Sequence, residues 1–344
     1  MIIRRAPHQL FKIAQLYYQV TGKRFHALRD QVANKHYIDV PLVFISQLSR
    51  SGGTMLSQLF DGHSSCVAFP PELNLGEDKI LIADLNIMAG DSCGVAAKKL
   101  LELNKRGISK GIEGYYKKGQ GNNDPFIFDI FAFNTLFKSL WLRNKPKNGR
   151  EVLNIWFSSY FSSWLNYQWP REIKYCTAFA SWTMILEDNV DKFFSYYPDG
   201  YLIHVMREPV SWYESVKTKA LSGKMREKFK DRLEIYKSLD KAVEWYEKQA
   251  DIFERNLNRY PERVVLLTYD ALVSDRERVM REICKIIGID FEHSLLHPTF
   301  NRLPGGKNTS FKKGKHRDVL DEREKGRIND YCIPVYEKIA SLCI

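Results

Sequence analysis

The sequence lacks the cysteine patterns that mark disulfide frameworks and zinc sites. Its six cysteines are scattered along the chain, with no CxxC pair and no His/Cys cluster at metal-ligand spacing. Because disulfide frameworks belong to oxidising compartments, this usage predicts a protein of a reducing one. We therefore expect a cytoplasmic protein.

The sequence also lacks a long apolar run. No stretch approaches the roughly 18 to 20 residues that a membrane-spanning helix needs. The N-terminal segment mixes basic and apolar residues, but it has no clean apolar core with a small-residue cleavage site. We interpret residues 1–39 as an amphipathic lead-in helix that packs on the domain. Peripheral contact of this helix with a membrane surface is the alternative.

What the chain has in excess is positive charge. It carries 52 Lys and Arg against 41 Asp and Glu, a formal net charge of +11. This surplus favours anionic partners, among them nucleotides, nucleic acid, anionic lipids and sulfated or phosphorylated glycans. Of the 344 residues, 44% are hydrophobic and 13% aromatic, so the chain can build a sizeable core.

Short, continuous apolar runs predict buried parallel strands. The four candidates are VPLVFIS (40–46), IKYCTAFA (173–180), YLIHVM (201–206) and RVVLLTY (263–269). A turn and a helical pattern follow all but the weaker second run, and this rhythm is typical of α/β proteins. We predict a central, mostly parallel sheet flanked by helices.

Two other regions are marked by their patterns. Apolar residues at three- and four-residue steps predict a long helix over 225–258, which stops before Pro261. Within 90–170, a Lys- and Gly-rich stretch is followed by dense aromatic residues, most of which we expect in the core. We interpret about 75–170 as a largely helical insertion on the acceptor side of one domain that spans 40–344.

The stretch SRSGGT leads from the first predicted strand into a helix that begins near Gly53 or Thr54. The free N–H groups of such a helix start attract an anion, and Gly52 and Gly53 permit close approach and a positive φ. Arg50 adds a forked cationic donor. The cation precedes the glycines, unlike in the GxxxxGK[ST] loop that binds a triphosphate with magnesium. A capped helix start without a ligand is the alternative on this stretch alone.

A second strand–turn–helix unit, VMREPVSWYES, has Pro209 well placed for the first helical turn. Arg207 sits at the predicted strand end, so we expect it at the carboxyl edge of the sheet, where open α/β sheets bind ligands. Ser215 lies eight residues further on, within the helix. Taken alone, Arg207 and Glu208 are equally consistent with a surface ion pair.

Together the two turns resemble those of the PAPS-dependent sulfotransferases, where PAPS is 3′-phosphoadenosine 5′-phosphosulfate. SRSGGTML is similar to the family's 5′-phosphosulfate loop, and VMREPVSWYES to its 3′-phosphate motif. LLTYDALVSDRERVMREICKIIGIDF and NTSFKKGKH are similar to a later strand–helix unit and a basic-glycine loop. The resemblance runs from about 40 to 318, is weak across 75–170, and is nearest in style to carbohydrate and tyrosyl sulfotransferases. It implies a three-layer α/β fold of the P-loop type.

The resemblance also implies a set of residues that would bind the 5′-phosphosulfate and the 3′-phosphate of PAPS. They are Arg50, Ser51, Gly52, Gly53, Thr54, Arg207, Ser215, Lys312, Lys313 and Gly314. The first five would cradle the 5′-phosphosulfate, with the arginine beside the transferred sulfuryl group. Arg207 and Ser215 would hold the 3′-phosphate, and the last three would close over that end. A solvated basic loop is the alternative for the two lysines.

Three positions depart from the family pattern. Gly53 replaces a residue that usually carries a hydroxyl, which removes one possible hydrogen bond. Glu208 replaces Asp, and His63 is not followed by Pro. We expect the last two changes to be tolerated.

Sulfuryl transfer, like phosphoryl transfer, depends on positioning and on stabilising the charge of the leaving oxygen. Arg50 and the loop N–H groups would supply the latter, and no metal is implied. The acceptor hydroxyl must also lose a proton, so a base is needed. In the resembling family the base is a His or a Glu. We predict Glu72 as the base and expect His63 to hydrogen-bond at the helix end.

Weaker candidates for the base are Asp61, His204 and Glu187, and Glu72 could equally be a plain loop carboxylate. The basic surplus favours a hydroxyl acceptor on a carbohydrate or glycolipid. A P-loop kinase is a rival interpretation, but it needs a Lys after the glycines and a carboxylate for Mg²⁺. A nucleic-acid-binding protein is another, but no recognisable module is present and the basic residues are spread along the chain.

Overall fold

The computed structural model describes residues 37–75, 84–112, 126–181, 184, 186–221, 238–304 and 319–344. The chain divides into two compact units. One comprises 1–39 and 84–169, and the other comprises 40–83 and 170–344. Residues 1–36 of the predicted N-terminal helix, together with Lys312, Lys313 and Gly314, lie outside the described residues.

The larger unit is built on a parallel sheet that has five strands in the described part of the chain. The strands are β1 (Leu42–Gln47), β2 (Cys66–Glu72), β3 (Tyr175–Phe179), β4 (Tyr201–Met206) and β5 (Val264–Thr268). Their spatial order is β2-β3-β1-β4-β5, and every neighbouring pair is parallel. The predicted fold class and all four predicted strands are confirmed. Strand β2 was not predicted.

Helices alternate with the strands along the chain. They are α1 (Gly53–Phe60), α2 (Leu85–Ala89), α3 (Cys93–Ile112), α4 (Ile130–Asn144), α5 (Gly149–Ser163), α6 (Glu187–Tyr196), α7 (Pro209–Leu221), α8 (Leu239–Arg259), α9 (Tyr269–Ser274), α10 (Arg276–Ile287) and α11 (Glu322–Ser341). A 3₁₀ helix (His293–Leu296) precedes a hairpin of β6 (Thr299–Phe300) and β7 (Leu303–Pro304).

Helices cover both faces of the sheet, because its central strands are apolar on both sides. On one face, Val43 and Ile45 of β1 belong to a buried core that includes Leu56 of α1 and Ile283 of α10. On the other face, β1 and β4 pack against α6 and α8. There, the rings of Phe44 and Phe193 lie 5.5 Å apart. This three-layer arrangement leaves the carboxyl ends of the strands free for loops.

The smaller unit contains α2 to α5 and is held together by aromatic packing. The ring of Trp156 on α5 lies 5.1 Å from that of Phe133 on α4, at a steep angle. Trp141 and Trp164 are also buried. Among the described residues, this part of the chain is thus largely helical and its aromatic side chains serve as core, as expected.

The long predicted helix corresponds to α8, which starts at Leu239 and ends at Arg259, before Pro261 as expected. The first part of the predicted range falls in 222–237, outside the described residues. Ser238 caps the helix, its hydroxyl accepting the N–H of Lys241. No helix in the described ranges is long and apolar enough to cross a membrane.

Candidate active site

The turn between β1 and α1 has two residues with left-handed backbone. Gly52 has φ 97° and precedes the first residue of α1. A Cβ at this position would lie 2.4 Å from Cδ2 of Tyr269, so both the backbone and the neighbouring ring require glycine. Arg50 has φ 76°, which is uncommon for a residue with a side chain. The positive φ predicted for Gly52 is therefore present, and the second left-handed residue of the turn is Arg50.

Gly53 is needed for a different reason from the one predicted. It is the first helical residue and has no positive φ, so that part of the prediction is wrong. A Cβ at Gly53 would lie 2.4 Å from Cε2 of Phe179 on β3 and 3.1 Å from Oε1 of Gln47. Close packing against the neighbouring strand thus excludes the hydroxyl residue that is usual at this position.

Gln47 is a part of this turn that the sequence did not mark. Its Oε1 accepts the N–H of Gly53 at 2.5 Å, so a side chain from the end of β1 caps the start of α1. Gly52 occupies the position before the helix, where a side chain usually caps the helix, and as a glycine it supplies none. The indole N–H of Trp212 on α7 donates to the carbonyl of Ser49 at 2.9 Å and fixes the other side of the turn.

Several hydrogen-bond donors of the turn have no partner among the described residues. The hydroxyl of Ser51 is fully buried and makes no hydrogen bond with any residue that the structure describes. The backbone N–H groups of Gly52 and Thr54 make no hydrogen bond within the described part of the chain. Because buried polar groups are rarely left unpaired, these donors fit a ligand with several acceptor oxygens.

The turn after β4 lies beside the turn after β1, because the two strands are neighbours. The guanidinium of Arg207 donates from Nη1 to the carbonyl of Arg50 at 3.4 Å. Its Cζ lies 4.8 Å from the centre of the Tyr269 ring. Its Nε is buried and has no hydrogen-bond partner among the described residues. Without a partner in the described part of the chain, this guanidinium N–H could donate to an anion.

Ser215 joins the two turns from α7. Its hydroxyl oxygen accepts the Nε–H of Arg50 at 3.1 Å. The structure thus brings together Arg50, Arg207 and Ser215, which come from the first turn, the second turn and the second helix. The prediction that these distant segments meet at one edge of the sheet agrees with this geometry.

Glu208 has a structural role in the second turn. Its carboxylate accepts the N–H of Val210 at 2.9 Å and that of Ser211 at 2.7 Å. Helix α7 begins at Pro209, which lacks an N–H, so the glutamate satisfies the next two free donors. The backbone N–H of Glu208 donates to Asp270 at 3.2 Å. The longer side chain thus serves as a helix cap.

Glu72 lies at the carboxyl end of β2 and is held by one oxygen. The hydroxyl and the N–H of Ser181 both donate to its Oε1, the N–H at 3.3 Å. Its backbone carbonyl accepts the side-chain amide of Asn74 at 3.0 Å. The described residues offer no partner to Oε2. No contact with a described residue thus prevents this oxygen from accepting a proton.

His63 has both ring nitrogens in use. Its Nδ1 accepts the N–H of Ser65 at 3.0 Å, and its Nε2 lies 2.8 Å from the carbonyl oxygen of Asp290. The first contact requires an unprotonated Nδ1, so the hydrogen resides on Nε2 and is donated to Asp290. The ring is only 1% exposed. This geometry favours a packing role for His63 and leaves Glu72 as the better candidate for the base.

Asp61 is a buried anchor and not an exposed base. Its Oδ2 accepts the hydroxyl of Thr299 and the N–H of Arg302, each at 2.8 Å. Burial raises the pKa of Asp61, although these hydrogen bonds oppose the shift. The contacts tie the end of α1 to the β6–β7 hairpin.

The other two weaker candidates are also occupied. His204 is buried in the middle of the sheet, where its ring stacks on Phe253 at 4.1 Å and burial lowers its pKa to about 3. Glu187, at the start of α6, pairs with Arg255 at 2.5 Å. Neither position lies at the end of a strand, so neither is a candidate for the proton transfer. No group of His, Cys, Asp and Glu suited to a metal ion occurs among the described residues.

The sequence matches the profile of the Sulfotransferase family over residues 41–293, well over half of its length. The chain belongs to the sulfotransferase family. The matched range contains both turns, Glu72 and Ser181. The protein is thus a sulfotransferase, and the resemblance drawn from its motifs is confirmed. A comparison with curated protein sequences gives no match.

Solved structures with a similar fold are distant in sequence. The sulfotransferase domain of the curacin biosynthetic pathway is 18% identical, with 89% of this chain and 98% of that chain covered and a TM-score of 0.48. A sulfotransferase from Alicyclobacillus acidocaldarius is 13% identical, with 89% and 96% covered and a TM-score of 0.45. Retinol dehydratase in a complex with retinol and PAP is 14% identical, with 89% and 84% covered and a TM-score of 0.33. At such low identities, none of these structures indicates which acceptor this chain uses.

Proposed function

We propose that this sulfotransferase moves the sulfuryl group of PAPS to a hydroxyl acceptor, with Glu72 as the general base. The observation that carries the donor assignment is the meeting of two turns. Arg50 is 3.1 Å from Ser215, and Arg207 is 3.4 Å from the carbonyl of Arg50. Two arginines and a serine at one edge of the sheet suit a donor with two separate phosphate groups.

The unpaired donors support the placement of the 5′ end of PAPS at the first turn. The Ser51 hydroxyl and the N–H groups of Gly52 and Thr54 would donate hydrogen bonds to the oxygens of the 5′-phosphosulfate. Gly53 is a weaker candidate for this role, because Gln47 already accepts its N–H. Arg207 and Ser215 would hold the 3′-phosphate, with Lys312, Lys313 and Gly314 over the same end.

The proposed reaction is a direct displacement at sulfur. The acceptor oxygen forms a bond to sulfur, while the bond between sulfur and the 5′-phosphate oxygen breaks. The acceptor proton goes to Oε2 of Glu72, and the charge of the leaving 3′,5′-ADP develops on its 5′-phosphate. Arg50 and the first-turn N–H groups stabilise this charge, since preorganised donors act most strongly where charge develops. The step needs no metal.

The donor assignment is tested by thermal shift and calorimetry with 3′,5′-ADP and with ATP plus Mg²⁺. We expect 3′,5′-ADP to bind and stabilise the protein without metal, because bound ligand stabilises the folded state by mass action. Arg50→Ala and Arg207→Ala should both lose most of this stabilisation. Stabilisation by ATP–Mg²⁺ without any effect of 3′,5′-ADP would contradict the proposed PAPS site.

The proposed acceptor is a carbohydrate or glycolipid hydroxyl. The net charge of +11 supports an anionic or membrane-associated glycan, and peripheral membrane contact would agree with it. A panel with radiolabelled PAPS tests this, with an oligosaccharide, a glycolipid, a simple phenol and a long-chain alcohol as acceptors. Label in the phenol or the alcohol alone would contradict the carbohydrate assignment and leave the donor assignment standing.

A further inference from the structure

The contact between Glu72 and Ser181 joins the ends of neighbouring strands. Ser181 follows β3 by two residues, is 7% exposed, and places both its hydroxyl and its N–H on the same carboxylate oxygen. The two residues are 109 positions apart in sequence. The pair therefore exists only because β2 and β3 are adjacent in the sheet.

An irregularity in β2 sets the position of Glu72. The pairing of β2 with β3 runs regularly to Phe69 and Ala178 and then jumps to Glu72 and Phe179. Two prolines fill the gap, and proline has no N–H to give to the sheet. After the jump, the N–H of Leu73 donates to the carbonyl of Phe179 at 2.7 Å. The chain is thus pinned on the far side of the bulge, with Glu72 beside Ser181.

We propose that Ser181 is a positioning residue that holds the base Glu72 by Oε1 and leaves Oε2 for the acceptor proton. This inference rests on the proposed function, in which Glu72 is the base. Two donors on one oxygen fix the plane and the rotamer of the carboxylate, and hydrogen bonds to an ionised group are the stronger kind. A base that is already held in one orientation loses less conformational entropy on forming the reactive geometry than a base that samples many orientations.

A purely structural role is the competing explanation. In it, the hydroxyl of Ser181 closes the edge of the sheet next to the bulge and has no effect on the reaction beyond stability. The two explanations differ in one respect that can be measured. A positioning role predicts a loss of turnover that depends on Glu72, while donor binding and folding remain unchanged.

The first test compares Ser181→Ala, Ser181→Thr and the control Ser46→Ala. Ser46 is a fully buried serine on β1 whose hydroxyl has no partner among the described residues, so its loss removes a hydroxyl without a hydrogen bond. The readouts are the affinity for 3′,5′-ADP and the release of label from saturating radiolabelled PAPS, with water and the panel compounds as acceptors.

We expect Ser181→Ala to lower turnover on the order of tenfold and to leave 3′,5′-ADP affinity within about twofold of wild type, because misplacing a catalytic group costs up to about a hundredfold. Ser181→Thr keeps the hydroxyl and should retain turnover within about threefold. Ser46→Ala should match the wild type. Wild-type turnover in Ser181→Ala, or an equal loss in the alanine and threonine variants, would overturn the inference.

The second test repeats the change in a Glu72→Gln background. Because residues that act as one unit are not additive, Ser181→Ala should cause less than about a twofold further loss there. An equal loss in both backgrounds would show that Ser181 acts independently of Glu72 and overturn the inference. Different results would show that the proposed function itself is wrong. They are a wild type that does not bind 3′,5′-ADP, or full turnover in Glu72→Gln.

Discussion

The two donor turns, which follow β1 and β4 and which we propose to bind PAPS, lie at the same edge of the sheet as the end of β2. Their polar groups differ from the carboxylate of Glu72 in hydrogen bonding. In the donor turns, the hydroxyl of Ser51 and Nε of Arg207 are buried and have no partner among the described residues. At the end of β2, by contrast, the carboxylate of Glu72 is already held by two hydrogen bonds from Ser181.

The two regions would therefore have different roles in the proposed reaction. Buried hydrogen-bond donors without partners cost folding free energy, so those of Ser51 and Arg207 agree with the proposal that the two turns bind an anion. A carboxylate that is already oriented needs no ligand to set its position, so under the proposed mechanism Glu72 would be oriented before the acceptor binds. Mutations in the two regions should therefore separate donor binding from proton transfer.

The largest effect is expected for Glu72→Gln. Glutamine keeps the shape and can still accept from Ser181, but it cannot take the acceptor proton. General-base catalysis contributes about 10²- to 10⁴-fold, so we expect turnover of PAPS to fall at least a hundredfold. Affinity for 3′,5′-ADP, measured by calorimetry, should stay within about twofold. An active variant would point back to His63 despite its two occupied nitrogens.

The next effect is expected for Gly52→Ala, with Gly326→Ala as its control. A left-handed backbone costs an L-residue about 1–2 kcal/mol, and the new Cβ would lie 2.4 Å from the Tyr269 ring. We expect at least a tenfold loss of 3′,5′-ADP affinity and a lower melting temperature. Gly326 is helical with open space around it, so alanine there should stabilise the fold. An unchanged affinity of Gly52→Ala for 3′,5′-ADP would show that the first turn does not bind PAPS.

A smaller effect is expected at Glu208, the departure from the family's Asp. Glu208→Ala removes the cap from two N–H groups of α7, and loss of a cap costs about 0.5–2 kcal/mol. Glu208→Asp should retain most of that stability, because a shorter carboxylate also caps helices. Urea unfolding measures both variants. Equal destabilisation by Ala and Asp would show that the length of the glutamate is essential.

The same residues show which features the sequence alone predicts. The two turns were predictable, because a strand followed by glycines or proline has few conformations, and neighbouring parallel strands end at one edge. The bulged strand β2 was not, since its two prolines argue against a strand. Gln47 and Ser181 act through side-chain contacts across the sheet, which leave no local pattern. The reason for Gly53 was also misjudged, because it depends on the ring of Phe179.

The last effect is on the pH dependence of stability alone and concerns His204, on the strand that leads into the second donor turn. Its folded pKa is about 3, below the ordinary value of 6.5, so the unfolded chain binds the proton more tightly. Stability is therefore fully present above pH 6.5 and is lost as the pH falls towards 3, by up to about 1.4 kcal/mol per pH unit.

His204→Gln stays neutral over this whole range. Its free energy of unfolding should therefore fall less between pH 7.5 and pH 5 than that of the wild type, by about 2 kcal/mol. Urea unfolding at the two pH values, with 3′,5′-ADP absent, makes the comparison. Identical pH dependence in the two proteins would mean that His204 is not neutral and buried in the folded state.

Calorimetry with 3′,5′-ADP and 5′-AMP tests directly whether the two turns bind two phosphate groups of one ligand. The wild type should bind 3′,5′-ADP at least tenfold more tightly, because only that ligand has a 3′-phosphate for Arg207 and Ser215. Arg207→Ala should lose this preference while its affinity for 5′-AMP changes little. A wild type without this preference, or an Arg207→Ala variant that binds both ligands equally more weakly, would show that the two turns do not bind the two phosphate groups separately.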